Sequence, residues 1–204
     1  MVGWTLAGYA LFLSVVFGMR TILHFRHTGR TGWVPFVRGP DAVTNGVITL
    51  GLAGALVAPL LDLTDALSPL SGLNTRVGHL LGGLALVTGA TMSAIAQTQM
   101  GGSWKAGTEP SVRNDLVTTG LFATVRNPFY LGMMLVVAGV ALVVPNVVAV
   151  VSVAALVVGV VALVHLVEEP GLSAAHGEDY AAYARSVGRF VPGVGRHNGR
   201  GHVG

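Results

Sequence analysis

The 204-residue chain has no cysteine, which excludes a disulfide framework, a thiolate nucleophile and a thiolate metal site. Charge is scarce as well. Asp, Glu, Lys and Arg together make up 10% of the residues, against about a quarter in ordinary soluble domains, and mean hydropathy is +0.68. That balance describes a protein embedded in a membrane. No G-x-G-x-x-G and no alternation of strand and helix patterns is present, which excludes a soluble Rossmann nucleotide-binding domain. The interiors of the long apolar runs hold no acidic residue, lysine or arginine, which argues against a proton or ion pathway. His24 and His27 lie three apart with no further ligand cluster to complete a site, so no metal is expected.

What is present is apolar sequence in lengths close to the roughly 20 helical residues that cross a hydrocarbon core. The runs are Val2 to Met19, Ala42 to Leu61, Val77 to Gln97, Pro128 to Val144 and Asn146 to Val167. The first lacks a basic leading segment and is followed by arginines, so it reads as a retained helix. The last two meet at Pro145-Asn146, which forces an antiparallel hairpin. Arg20, Arg26, Arg30, Arg38, Lys105, Arg113, Arg126, Arg185, Arg189, Arg196 and Arg200 all fall on one side of such an arrangement, and Arg76 alone on the other, beside Asp62 and Asp65. The positive-inside rule then sets the N-terminus outside and the C-terminus in the cytoplasm. The expected fold is all-α and membrane-integral, with about five transmembrane helices, in the inner membrane of a bacterium. The pI near 9.8 is accounted for by orientation and attraction to anionic lipid, and no nucleic acid partner is expected.

Glycines Gly78 and Gly82, with Gly83 and Gly89 nearby, read as close helix packing. Beyond the fifth run, Leu172, Tyr180, Tyr183 and Val187 fall near one helical face, predicting a short amphipathic helix laid on the rest of the protein. Residues 193–204, glycine-rich and basic, read as a disordered tail.

Polar residues gather at the cytoplasmic ends. In "ATVRNPFYLGMM", Asn127 is a favoured N-cap and Pro128 a favoured first helical residue, so a helix starts there with Arg126 beside it. Its unpaired N–H groups and positive dipole end, next to a guanidinium, suit a carboxylate or phosphate. Glu168 and Glu169 close the fifth helix on the same face, where acidic residues oppose the macrodipole, and they suit a cation. Together the two sides would suit a zwitterion. The plain alternative is a capped helix start and an interfacial boundary, with no ligand at either.

"TTGLFATVRNPFYLGMM", an apolar hairpin, and then "EEPGLSAAHGEDYAAYARSVGRFVP" resemble the core of the membrane methyltransferases related to isoprenylcysteine carboxyl methyltransferase and the phospholipid methyltransferases. Gly120, Phe122, Arg126, Pro128, Tyr130 and Gly132 match the first part of that family's pattern. Glu168, Glu169, Leu172, Gly177, Tyr180, Tyr183, Val187, Arg189 and Pro192 match the second, and "GGSWKAG" at 101–107 is similar to the loop ahead of it. Asn127 stands where the family has histidine and His176 where it has phenylalanine. Residues 1–100 then hold the first three helices and 101–192 the methyltransferase core.

The resemblance implies S-adenosylmethionine as methyl donor, with S-adenosylhomocysteine as product. Arg126, Asn127 and Pro128 would take its carboxylate, Glu168 or Glu169 its ammonium, and Tyr130 or Tyr183 its sulfonium or adenine; Gly132 belongs to the same motif. Asparagine cannot titrate near neutrality, so any base the acceptor needs would be a glutamate or His165, one turn before Glu169. The implied acceptor is a lipid or other lipophilic small molecule entering from the bilayer. Two other readings remain open: a nicotinamide-dependent reductase of the sterol-reductase type, whose C-terminal signature is similar, and a non-catalytic helical membrane protein.

Overall fold

The structure is a computed structural model that describes residues 2–19, 21–22, 25, 39–100 and 116–197. Arg20, His24, Arg26, His27, Arg30, Arg38, the stretch 101–107 with Lys105, Arg113 and Arg200 lie outside the described residues. All described elements are helical. Helix α1 (Val2–Leu13) runs into a π-helical turn at Ser14–Met19; α2 spans Pro40–Leu63 and α3 Arg76–Met100. After a short 3-10 turn at Gly120–Ala123 come α4 (Pro128–Val143) and α5 (Val147–Leu163). A second π turn, Val164–Glu168, joins α5 without a break to α6 (Glu169–His176), and α7 covers Glu178–Ser186.

Among the described residues, three helices are long and apolar enough to cross a membrane: Pro40–Leu63, Arg76–Met100 and the continuous Val147–His176. The apolar helices Val2–Gly18 and Pro128–Val143 are shorter. At 1.5 Å per residue the 16 residues of α4 reach only about 24 Å, against a core of about 30 Å. The helix that the fifth apolar run predicts does not end at Val167. Pro170, the second residue of α6, has no N–H to give and would crowd the preceding turn of a regular helix; the widened π turn just ahead of it, with Glu169 N–H bonded back to Val164 O, lets the helix run on.

Two antiparallel pairs make the bundle. In the pair α3 and α4, Gly82 faces the Gly139 carbonyl and Gly132 the Gly89 carbonyl, so closely that a Cβ at Gly132 would lie 2.6 Å from Gly89 O. Gly78 approaches Leu73 O and Leu142 O, whereas Gly83 has nothing within 4 Å and turns outward. In the pair α2 and α5, Gly51 meets Ser152 and Leu156, and Gly159 meets Thr44 and Ile48. Between the pairs lies a core that includes Tyr9, Met133, Val136, Leu156 and Val160. Asn146, fully buried, caps α5 by accepting from Ala149 N–H at 3.0 Å and ties it to α2 by donating to Ala58 O at 2.9 Å.

The C-terminal segment departs from a single amphipathic helix. Gly177, at φ 53°, breaks it into α6 and α7 and resets the helical phase. Tyr180 and Val187 are therefore buried, while Leu172 on α6 is 36% exposed and leaves the shared face. Residues 193–197, read from sequence as part of a loose tail, fold back onto α7 and the start of α4.

Candidate functional site

At one end of the bundle the starts of α2 and α4, the π turn after α5, and α7 with its following segment converge. Val125 pairs with Gly188 as a parallel bridge; Arg126 N–H bonds Gly188 O at 2.8 Å and Asn127 N–H bonds Arg189 O at 3.1 Å. This short bridge fixes the residues ahead of α4.

Arg126 is 6% exposed, and its guanidinium is almost fully engaged within the protein. Nη1 donates to Ala184 O (3.0 Å) and Val187 O (2.5 Å); Nη2 donates to Glu169 Oε1 (2.7 Å) and Gly195 O (3.1 Å). Two of these acceptors lie at the C-terminal end of α7, where a cation also complements the helix dipole. Glu169 in turn receives Arg189 in two-point fashion, Nε to Oε1 at 2.8 Å and Nη2 to Oε2 at 2.7 Å. Donating to Glu169 raises the Arg189 guanidinium above its ordinary value. The arginine and glutamate that the sequence sets on opposite sides of a zwitterion thus face each other.

Asn127 occupies the N-cap position of α4, but its side chain makes no cap bond; Nδ2 donates to Arg189 O at 3.2 Å instead. Pro128 is buried at the first helical position. Tyr130, one turn in, donates its hydroxyl to Glu168 Oε1 at 2.5 Å. Among the described residues no hydrogen bond occupies Glu168 Oε2. Gly132 packs against α3 rather than lining a space. Tyr183 donates to Phe122 O at 2.7 Å, and burial pushes the hydroxyls of Tyr180 and Tyr183 up to about 12, so both stay neutral at physiological pH.

His165 is exposed and is not drawn into this cluster. Asp41 is drawn in. The antiparallel register of α2 on α5 sets the first turn of α2 level with the π turn, and Asp41 lies within electrostatic reach of Tyr130 and Glu168. In sequence it passes for an ordinary acidic residue in a helix's first turn, and only the register marks it. The site is thus asymmetric: Glu169 is neutralised between two arginines, and Glu168 is held by a tyrosine hydroxyl with Asp41 within electrostatic reach.

A family profile described as phospholipid methyltransferase matches residues 77–179, just over half of the chain. The chain belongs to the phospholipid methyltransferase family. Arg126, Asn127, Tyr130, Glu168 and Glu169 all fall inside the matched residues of this family member, while Asp41, Tyr183 and Arg189 lie outside them. Comparison with curated proteins finds no match. Family and apolar helices together make this an integral membrane protein of methyltransferase type.

Proposed function

We propose that this protein transfers the methyl group of S-adenosylmethionine to a lipid or other lipophilic acceptor at the cytoplasmic face of the membrane. The observation that carries the reading is the Tyr130–Glu168 pair within the family's matched residues, beside Asp41 and at the open first turn of α4. The donor set fits such a molecule at both ends. Glu168 presents a carboxyl group suited to an ammonium or sulfonium, and the uncapped first turn of α4 presents N–H groups and the positive dipole end suited to a carboxylate.

When bound, S-adenosylmethionine supplies an electrophilic methyl on a positively charged sulfur. The chain's own residues bind, orient and exclude water, which is most of what a direct displacement requires. Tyr130 holds Glu168 Oε1 in place, so Oε2 is aimed by a fixed partner. An ionised carboxylate acceptor needs no base. For an amine or hydroxyl acceptor Glu168 is the group placed to take the proton, since His165 is turned away. The short helix α4 and the α1 helix complete five crossings with the N-terminus outside, which sets Arg126, Arg185, Arg189 and Arg196 in the cytoplasm and leaves Arg76 opposite.

Titration calorimetry of the detergent-purified protein with S-adenosylhomocysteine, and with NADPH as control, tests the reading. Saturable binding of the nucleoside, weakened about tenfold or more by Glu168→Gln, is the expected outcome. Binding of NADPH alone would identify a reductase instead, and folded protein that ignores millimolar nucleoside would refute methyl transfer from this donor.

A further inference from the structure

Residues 188–197 do more than follow α7 along the bundle. They pair with Val125–Asn127 through the parallel bridge, turn at Gly193 and Gly195 (φ 78° and 74°), and return, with Arg189 N–H bonded to Val194 O at 2.8 Å and His197 N–H to Ala184 O at 3.0 Å. Three pieces of chain meet on one buried carboxylate: Arg126 ahead of α4, Glu169 at the end of the π turn, and Arg189 in this segment. The same segment holds the Asn127 side chain, through Arg189 O, away from the helix end it would otherwise cap.

We propose that residues 188–197 are a strap that sets the first turn of α4 and keeps it uncapped, with Arg189 as its positioning residue, acting through Glu169 and Arg126. Arg189 touches no reacting group. Its two-point bond to Glu169 holds the strap down, and the strap's carbonyls hold Arg126 and Asn127. If the strap lifts, Asn127 is released to turn onto the N–H groups of α4, and the end suited to a carboxylate closes. The ligand consequence rests on the methyltransferase reading; the mechanical coupling does not.

Two variants disturb the strap in unrelated ways. Arg189→Gln removes the charge. Gly188→Ala leaves every charge in place but sets a Cβ into Val191 O and 2.8 Å from Gly193 N, so the turn cannot close. In both, amide hydrogen exchange at Arg126 and Asn127 is expected to rise about 10- to 100-fold while α2 and α5 keep their protection. The variants are also expected to bind S-adenosylhomocysteine about tenfold more weakly and 5′-methylthioadenosine, which lacks the amino-acid end, within about twofold of the parent. Arg189→Lys, charged but unable to make the two-point bond, falls between. Unchanged protection of Arg126 and Asn127 in both variants overturns the proposal, as does equal loss of the two nucleosides. A parent protein that binds neither nucleoside refutes the methyltransferase reading, and the exchange data then decide the strap alone.

Discussion

Glu169→Ala separates two views of the acidic pair. If Glu169 waited in an open pocket for a ligand's ammonium, its removal would cost affinity and little stability. In the structure its side chain is 7% exposed and takes three charge-assisted hydrogen bonds, at 2.7 Å from Arg126 and 2.8 and 2.7 Å from Arg189. Alanine there strands the Arg126 side chain, 3% exposed, with backbone carbonyls as its remaining acceptors, while Arg189, 24% exposed, can swing into water. Breaking a buried pair by removing one partner costs about 3–5 kcal/mol. For a domain of this size each kcal/mol lowers the melting temperature by roughly 2–4 °C, so a fall of about 6–20 °C is expected. Glu169→Gln, which retains an acceptor but not the charge, should fall by about half as much. Circular dichroism melts of the ligand-free protein in one detergent, at one protein concentration, measure this. A melting temperature within about 2 °C of the parent, together with lost nucleoside binding, would refute the structural role and return Glu169 to the ligand.

Gly132→Ala sets a Cβ 2.6 Å from Gly89 O and 2.9 Å from Ser93 N, so α3 and α4 must part; a loss of about 1–3 kcal/mol is expected, read as a lower melting temperature. The same change at Gly83, where nothing lies within 4 Å, should leave the melt within error. Asn146→Ala removes both the cap of α5 and the bond to Ala58 O from a fully buried site, and about 1–3 kcal/mol should be lost. Tyr130→Phe deletes only the hydroxyl that holds Glu168; the melt should stay near the parent's while S-adenosylhomocysteine affinity falls about 3- to 10-fold by calorimetry, and unchanged affinity would remove Tyr130 from the site.

The parts that were legible and those that were not differ in physical kind. Apolar runs mark helices because burying polar backbone in lipid leaves a helix as the available structure, and α2, α3 and α5 start within a few residues of the runs that predict them. Asn127-Pro128 marked the start of α4 to the residue. Side-chain direction is not written that way. Arg126 and Glu169, 43 residues apart, look like two halves of a ligand site until the strap supplies a second arginine and the carbonyls of Ala184, Val187 and Gly195. The motif's spacing is equally consistent with both arrangements, since each needs an arginine before one helix and a glutamate after another. Asp41 was invisible for the opposite reason: it belongs to no motif, and only the glycine contacts of α2 on α5 carry it to Glu168. The result reassigns the cluster by charge. Glu169 completes a net-positive structural knot between two arginines, and under the proposed function Glu168, held by Tyr130, is the carboxylate that would meet a cation.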